Sequence, residues 1–498
     1  MRATDVLARL AQAGVDANGI TADSRRCGAG EVFAAWPGAA SDGRRFIADA
    51  FANGAAAALY ESGDGFQLPA ASQRLRAFPV AGLRALGGYL AHEIYGRPSE
   101  KLWFAGVTGT NGKTTVSQWL ARAIEALGER CGVVGTLGNG FPGVLDMALN
   151  TTPDALELHR LLAGFVKDGA GAAAMEVSSI GLDQERVNGA AFDVAIFTNL
   201  TRDHIDYHGT MEAYGAAKAK LFELPGIATA VVNLDDAFGF DLAKKLAARG
   251  MDTIGYSLSP ARAAAVPHVR PLLACDLRAS AGGQAFGVAW NGTRVEVAVR
   301  LAGAFNVSNL LAVLGALLAR GVALDAALDV ARTLTPPPGR MQLVGGHDEP
   351  LVIVDYAHTP DALSKVLEAA RPAAESRGGR LLCVFGCGGD RDHGKRPQMG
   401  AAASRLADRI LVTSDNPRSE APEAIIADIL AGTGTGAGAL IERAEAIRSA
   451  VFEADARDVI VLAGKGHEPY QEIRGVRHPF SDVAHAEQAL AARRGKAC

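Results

Sequence analysis

The sequence contains no apolar run that approaches the roughly 18 residues of a membrane span. Its 498 residues carry a formal net charge of only −4. That leaves no global basic field for nucleic acid, and an anionic substrate has to be held by local Arg and Lys. The N-terminus, Met1-Arg2-Ala3-Thr4-Asp5, leads into an amphipathic helix with Asp5 and Arg9 rather than into a signal-peptide core. A cytoplasmic location is expected. Cysteines are few and scattered (Cys27, Cys131, Cys275, Cys383, Cys387 and Cys498), with neither metal-type spacing nor a secreted framework. Cys383 and Cys387 alone suggest a ligand pair, but no second pair accompanies them, and reduced thiols are the expectation. What is there is ordinary globular composition, 49% apolar and 21% charged. The chain is too long for one core, so about two to four domains are expected.

The chain is organised around Leu102–Leu127. Leu102-Trp103-Phe104-Ala105-Gly106-Val107 is a short apolar run of strand type. Thr108-Gly109-Thr110-Asn111-Gly112-Lys113-Thr114-Thr115 follows, and then Val116, Trp119, Leu120, Ala123, Ile124 and Leu127 recur at helical spacing. Strand, glycine loop and helix are the context of a phosphate-binding loop. Glycines let backbone N–H groups converge on phosphate oxygens, and the helix N-terminus adds its dipole. Lys113 would reach the terminal phosphates, and Thr114 or Thr115 would ligate Mg²⁺. Val107 stands where the usual G-x-x-x-x-G-K-[ST] pattern has glycine, and Gly106 sits one place early. A glycine-rich turn without a ligand is the bland alternative, and a nucleotide triphosphate site is the reading adopted.

Taken in order, residues 1–98 read as a small α/β domain, with strands at Glu31–Trp36 and Ala55–Tyr60. Asp23-Ser24-Arg25-Arg26 and Asp42-Gly43-Arg44-Arg45 are polar loops whose paired arginines are either a solvated surface or a diphosphate contact. Residues 99–335 continue the strand–loop–helix alternation. Ala172–Val177, Phe192–Phe197 and Ala230–Val232 end in polar clusters that hold Glu176, Ser178, His204, Asp206, Asn233 and Asp235. Such clusters mark the ligand crevice of an open α/β sheet. Glu176 and His204 suit a magnesium site, His204 being otherwise a structural histidine. Asn150-Thr151-Thr152-Pro153 reads as a capped helix start before Asp154 and Glu157. Lys218, on a helix with Lys220 on another face, reads as solvated. Asn306–Leu318 is apolar enough to be a buried helix.

Pro336-Pro337-Pro338-Gly339-Arg340 is the clearest linker. Residues 336–498 then form a third α/β domain of doubly wound pattern. Its strands Leu351–Val354, Leu381–Phe385, Ile410–Thr413 and Val459–Leu462 each end in a polar cluster. The glycine-rich stretch Gly432–Gly438 reads as a flexible surface loop. Arg391, Arg418 and Glu468 in the strand-end clusters suit an amino acid, since guanidinium forks grip carboxylates and a glutamate takes the ammonium.

These motifs, in this order, resemble the Mur ligases of peptidoglycan synthesis, over essentially the whole chain. Thr108–Thr115, Asn150–Pro153, Glu176–Ser179, Thr198–Gly209, Asp415–Arg418 and Gly464–Glu468 carry the resemblance. It implies a domain for the UDP end of the substrate (1–98), with Ser24, Ala39, Ala40 and Ser41 near the nucleotide. It implies that Asn150, Thr151, Thr152, Ser178, Gln184 and Arg186 grip a MurNAc-dipeptide. Gly109, Thr110, Asn111, Gly112, Lys113, Thr114 and Thr115 would bind ATP in the central domain (99–335), with Asn306 and Arg340 also on the nucleotide. Thr114, Glu176 and His204 would surround Mg²⁺. Lys218 matches a lysine that reacts with CO₂ to give a carbamate, which turns a cation into an anionic metal ligand. Lys113, Lys218, His204 and Glu176 thus form the implied catalytic set. Arg391, Asp415, Asn416, Pro417, Arg418, Gly464 and Glu468 match a diaminopimelate pocket in the third domain. Many relatives have histidine after Glu-Val-Ser-Ser where this chain has Ile180.

The implied reaction is ATP-dependent amide formation. The γ-carboxylate of UDP-MurNAc-L-Ala-D-Glu is phosphorylated, and the amine of meso-diaminopimelate attacks the acyl phosphate. The implied protein is a monomer with neither a nucleic-acid partner nor a membrane span, and its third domain closes about Pro336–Gly339. Folylpolyglutamate-type ligases share the glycine loop, but the complete first domain and Asp415–Arg418 speak against them. A scaffold that had lost catalysis should lack Lys113, Lys218 or His204, and all three are present.

Overall fold

The computed structural model describes residues 2–38, 41–63, 65–69, 75–280, 283–346 and 348–495. The chain packs into two compact units, one of Met1–Thr108, Leu120–Ile196 and Ala217–Ala230, the other of Gly109–Trp119, Phe197–Ala216 and Val231–Cys498. Among the described residues no helix is long and apolar enough to cross a membrane.

The first unit begins with β1 (Gly19–Thr21), β2 (Glu31–Ala35), β3 (Ala57–Glu61) and β4 (Ala77–Val80), a four-stranded parallel sheet in that order. Ile20, Val32 and Leu59 pack from it against Val6 and Leu10 of the helix Ala3–Gln12 and Leu83 and Leu90 of the helix Leu83–Ile94. The unit also carries β5 (Trp103–Thr108), β6 (Cys131–Gly135), β7 (Gly138–Phe141), β8 (Val144–Asp146), β9 (Ala172–Glu176) and β10 (Val194–Phe197), ordered β10-β5-β9-β6-β7-β8. β5 runs parallel to β9 with Val107 opposite Glu176, so the last residues of both strands emerge at one edge. Gly106 lies inside β5, where a Cβ would come within 2.9 Å of the Phe192 ring. Its role is packing, not phosphate contact.

In the second unit, β11 (Thr229–Asn233), β12 (Asp252–Ser257), β13 (Arg270–Ser280), β14 (Gly283–Trp290) and β15 (Thr293–Val299) pair in chain order. β12 and β13 are parallel, but β13, β14 and β15 form an antiparallel meander. This departs from the alternation expected across 99–335. The physical reason is local: Asn291 and Gly292, at φ of 47° and 79°, make a two-residue turn that only an antiparallel hairpin uses. The apolar helix Ala304–Ala319 is buried almost throughout. Trp119 Nε1 donates to Thr335 O at 2.8 Å and ties the helix Lys113–Ala126 to the start of the proline linker.

The C-terminal sheet joins β16 (Gln342–Gly345), β17 (Leu351–Asp355), β18 (Leu381–Phe385), β19 (Arg409–Val412), β20 (Gly438–Ala439) and β21 (Val459–Ala463) in the order β16-β17-β21-β18-β19-β20. All neighbours are parallel except β16 with β17. Strand side chains alternate between faces. Ile353, Cys383, Phe385 and Val461 pack on Leu363, Val366 and Leu367 of the helix Pro360–Arg377. Val352, Val354, Leu382, Val384 and Ile460 pack on Ala446, Ile447 and Val451 of the helix Arg443–Glu453. Helices thus cover both faces, the doubly wound arrangement. Burial pushes the Cys383 and Cys387 thiols up to about 12, and Cys387 Sγ lies 3.5 Å from Met399 Sδ. The Gly432–Gly438 stretch is not simply a surface loop. A Cβ on Gly432 would lie 1.8 Å from Pro397 O, and Gly438 begins edge strand β20. A hairpin of β22 (Tyr470–Ile473) and β23 (Val476–Pro479) follows the main sheet.

Candidate active site

In the second unit the loop Gly109–Gly112 opens the helix Lys113–Ala126. Gly109 and Gly112 have φ of 144° and 89°, and a Cβ would sit 1.9 Å from Thr198 Oγ1 or 2.4 Å from Asn309 Oδ1. Only glycine fits at either place. The segment after β10 clamps the loop. Thr198 Oγ1 and Asn199 Nδ2 donate to Asn111 O at 2.6 and 3.0 Å, and Asn111 N donates to Asn199 Oδ1 at 2.9 Å. Lys113 Nζ curls over the loop and donates to Gly109 O and Thr110 O at 2.9 and 2.8 Å. Thr110 Oγ1 lies 3.1 Å from Tyr214 OH.

Beside the loop is a cleft of about 660 Å³, lined by Asn111, Gly112, Thr115, Asn306, Asn309 and Arg340 among others. A nucleotide-sized ligand fits such a volume. Arg340 Nη2 donates to Thr114 Oγ1 at 3.0 Å, and its guanidinium stacks 4.6 Å from the Tyr356 ring centroid. Asp355 fixes this arrangement by accepting from Met341 N and Ala357 N, each at 2.8 Å. Arg340 Nε is buried without a hydrogen-bond partner among the described residues, a donor that suits an anionic ligand. Asn306 Nδ2 donates to Ala302 O at 2.8 Å, and Asn309 follows one helical turn later. Asn199, Asn233, Asp236, Tyr356 and Asp361 also line the cleft, and Asn111 Nδ2 donates to Asp361 Oδ2 at 3.3 Å. Sequence reasoning placed Asn199, Asn233, Asp236 and Tyr356 in polar strand-end clusters without a role of their own, and singled out neither Asp361 nor Asn309. The i, i+3 spacing from Asn306 was the available signal for Asn309.

Asp203, inside the Thr198–Gly209 motif, was likewise given no role of its own. His204 Nε2 lies 3.5 Å from its carboxylate, His358 Nε2 3.6 Å and Lys395 Nζ 3.9 Å. Burial pushes the Asp203 carboxyl up, but the His358 hydrogen bond and the charges of His204, His358 and Lys395 outweigh it and hold the group well below the usual range. Arg202 pairs with Asp392 at 3.0 Å and Arg391 with Asp206 at 3.9 Å. The strand end that clamps the phosphate loop therefore also engages Tyr356–Lys395. His204 itself has φ of 53°, a left-handed N-cap to the short helix Ile205–His208.

The amino-acid candidates gather at the ends of β18, β19 and β21. A Cβ on Gly388 would come 2.9 Å from Arg418 Nη1 and 3.7 Å from Arg391 Cγ, so both arginines flank that glycine. Arg418, at φ 50°, donates from Nη1 to Gly389 O at 2.7 Å, and its Nε lies 3.7 Å from Glu472 Oε2. Glu468 accepts from Asn416 Nδ2 at 2.8 Å. Gly464 has φ of 114°, and a Cβ there would lie 2.3 Å from Asp415 Oδ2. Asp415 and Asn416 are buried. Pro417 O lies so close to Gly389 that a Cβ would meet it at 2.0 Å.

In the first unit, Glu176 accepts from Thr136 N at 2.8 Å and Thr136 Oγ1 at 3.0 Å, and Thr136 Oγ1 lies 3.0 Å from Thr151 Oγ1. Thr152 Oγ1 is shared between Glu176 O and Ser178, and Arg186 donates to Thr152 O at 2.8 Å and to Gln184 Oε1 at 2.7 Å. One polar chain thus joins Glu176 to Thr151, Thr152, Ser178, Gln184 and Arg186. Asp154, expected in the first turn, is instead the N-cap of the helix Ala155–Lys167, and Asn150 is exposed. Ser24 is buried, with its carbonyl accepting from Asn53 Nδ2 at 2.9 Å. Ser41 is exposed, and Ala39 and Ala40 lie outside the described residues. Arg44 is buried on Asp42 and over Phe66, whereas the Arg25 side chain is 86% exposed. The paired arginines are therefore not one surface. Lys218 is not solvated: it is 1% exposed, while Lys220 on the next face pairs with Asp183 at 2.8 Å. Ile180 is half-buried in the first turn of the helix Ser179–Asp183.

Three family matches cover most of the chain: the Mur ligase family catalytic domain over residues 16–86, the Mur ligase middle domain over 107–317 and the Mur ligase glutamate ligase domain over 339–466. A protein of Ectopseudomonas mendocina (strain ymp), named UDP-N-acetylmuramoyl-L-alanyl-D-glutamate--2,6-diaminopimelate ligase, is 54% identical across 97% of this chain and 96% of its own. The chain belongs to the Mur ligase family. A solved structure of a ligase of that same name is 39% identical, with a TM-score of 0.66 over 96% of this chain and 95% of its own. MurF ligase from Thermotoga maritima in complex with ADP shares the fold at 17% identity, with a TM-score of 0.68 over 97% and 99% of the two chains. Mur ligases are ATP-dependent ligases of peptidoglycan synthesis, and this one has the mixed α/β fold of its neighbours.

Proposed function

We propose that this Mur ligase joins meso-2,6-diaminopimelate to UDP-N-acetylmuramoyl-L-alanyl-D-glutamate, acting in the cytoplasm as a monomer. Residues 1–98 take the UDP end, 99–335 take ATP and 336–498 take the amino acid. The observation that carries the choice of amino acid is the pair of arginines flanking Gly388, with Glu468 held on the neighbouring strand end. A diamino diacid offers two carboxylates for guanidinium groups and an ammonium for a glutamate. L-Lysine would set an unmatched ammonium against Arg418, a desolvated repulsion of several kcal/mol.

ATP takes the cleft beside the phosphate loop. Lys113 leaves its loop carbonyls for the terminal phosphates, and Arg340, Asn306 and Thr115 hold the nucleotide. The γ-phosphoryl group passes to the γ-carboxylate of the D-glutamyl residue. The acceptor amine then attacks the acyl phosphate, and phosphate leaves. Thr151, Thr152, Ser178, Gln184 and Arg186 position the dipeptide, and Ser24 and Ser41 the uridine end. The work of these side chains is placement and charge neutralisation, as in other phosphoryl transfers.

Of the donors expected for Mg²⁺, Thr114 and His204 belong to the second unit, and Glu176, with Lys218 as its carbamate, would be hard oxygen donors on the first. Lys218 is buried, at 1% exposure, and as a carbamate it would carry an anion suited to a divalent cation. When bound, the metal neutralises phosphate charge.

Phosphate release with ATP, Mg²⁺ and UDP-MurNAc-L-Ala-D-Glu, comparing meso-diaminopimelate with L-lysine, tests this reading. Turnover is expected with diaminopimelate and not with lysine. Equal turnover with lysine overturns the amino-acid assignment, and release with neither overturns the ligase reading of these sites.

A further inference from the structure

Lys465 lies between the two amino-acid loops, yet sequence reasoning gave it no role. Gly464 and Gly466, at φ of 114° and 54°, turn the chain on either side of it. Its side chain is directed inward and is wholly buried. The loop is fixed from outside as well, because a Cβ on Gly339 would lie 2.2 Å from His467 N. A buried ammonium is tolerated only when its charge and donors are matched. Here Lys465 Nζ donates to Asn416 Oδ1 at 3.0 Å and to Glu468 Oε2 at 2.9 Å. Asn416 Oδ1 also accepts from Glu472 N at 2.9 Å, and Asn416 Nδ2 donates to the same Glu468 Oε2 at 2.8 Å.

Glu468 is therefore held through one oxygen only. Oε2 takes both the lysine and the asparagine, while Oε1 accepts no hydrogen bond among the described residues, and the side chain keeps 16% of its surface exposed. A carboxylate pinned by one oxygen from inside the fold presents the other in a fixed direction. We propose that Lys465 is a positioning residue for the acceptor amino acid, locking Asn416 and Glu468 so that Glu468 Oε1 receives the substrate ammonium. This role rests on the reading of Glu468 as part of the amino-acid site. It also explains why a cation stands next to a cation-binding carboxylate: Lys465 satisfies the inner oxygen and leaves the outer one for substrate.

A double-mutant cycle of Lys465→Met and Glu468→Gln in the full-length enzyme tests it, with phosphate release read as KM and kcat for each substrate. K465M is expected to raise the KM for diaminopimelate about ten- to a hundredfold, by analogy with the loss of groups that orient metal ligands. The KM for ATP should stay in place. In the E468Q background the same substitution should add no further rise. An equal rise in both backgrounds, or an equal rise in the KM for ATP, overturns the positioning role and leaves Lys465 as a structural cation. If K465M fails to bind ADP, Lys465→Gln takes its place, since its amide keeps a donor for Glu468 without the charge. A wild-type enzyme indifferent to diaminopimelate overturns the functional reading and this role with it. Wild-type turnover with an unmoved KM in the variant overturns the role alone.

Discussion

The cleft proposed for the nucleotide and the loops proposed for the amino acid are built from different materials. Five asparagines, Asn111, Asn199, Asn233, Asn306 and Asn309, line the cleft, and its phosphate loop is shaped by two glycines in left-handed or extended-positive conformations. The amino-acid loops rely on charged groups: Arg391, Arg418, Lys465, Asp415 and Glu468, of which Lys465 and Asp415 are buried. A neutral amide can be buried with one or two local hydrogen bonds, so a single loop can place it. A buried charge needs a partner, and Lys465 has Glu468 three residues on and Asn416 from another strand end, 49 residues away. The phosphate loop, one contiguous stretch, is thus a local device, whereas the amino-acid loops, like the wider walls of the cleft, draw on several strand ends.

The largest effect that would sharpen this contrast lies at Lys113, the cation of the phosphate loop. Lys113→Met is expected to lower kcat/KM for phosphate release by at least about a thousandfold, on the order of 4 kcal/mol, because charge developing on the transferred phosphoryl group loses its neutralising ammonium. The KM for diaminopimelate should be little changed. If K113M kept turnover within a factor of about ten of wild type, the phosphate loop would be a structural turn and the contrast would collapse.

A smaller and more selective effect is expected at the non-local device. Arg418→Ala should raise the KM for diaminopimelate about a hundredfold, near 3 kcal/mol for a carboxylate left without its guanidinium, with the KM for ATP unmoved. Arg418→Lys should recover only part of the loss, because an ammonium keeps the charge but not the fork. An unchanged KM in R418A would remove Arg418 from the pocket and leave Arg391 as the remaining candidate for the distal carboxylate.

The same contrast decides what could be seen in the sequence. Thr108–Thr115 is contiguous, so its strand, loop and helix were legible from residue type and spacing. So was the doubly wound C-terminal sheet, whose apolar strands each end in a polar cluster. The antiparallel meander of β13–β15 was passed over, although Asn291-Gly292 signalled a hairpin. Asp203, Asn309, Tyr356 and Lys465 were not legible as site residues, because each gains its meaning from a partner brought in by another strand end or helix. Lys218 shows the same limit from the other side. Helical spacing separates it from Lys220 but does not say which face is buried. The family resemblance singled out Lys218 where periodicity gave it no role.

The smallest expected effect lies outside both regions and separates fold stability from site chemistry. His159, on the helix Ala155–Lys167, has its Nε2 3.1 Å from Asn188 O and its ring 5.2 Å from that of His92. Burial pushes its pKa down to about 4, helped by the nearby His92 and opposed by the bond to Asn188. Between its ordinary value of 6.5 and about 4 the unfolded chain binds a proton that the folded chain refuses. Stability therefore rises with pH across that window, and by pH 5 about 2 kcal/mol has been lost. His159→Gln, which keeps a donor for Asn188 O, should flatten the acid side of a urea-midpoint profile and leave the diaminopimelate and ATP KM values at pH 8 alone. An unaltered acid slope would mean that the unfolded-state proton uptake is carried by other groups. A shifted KM would mean that the crossing of this helix with Leu83–Ile94 reaches the Thr152–Arg186 chain, since Asn188 follows Arg186 by two residues.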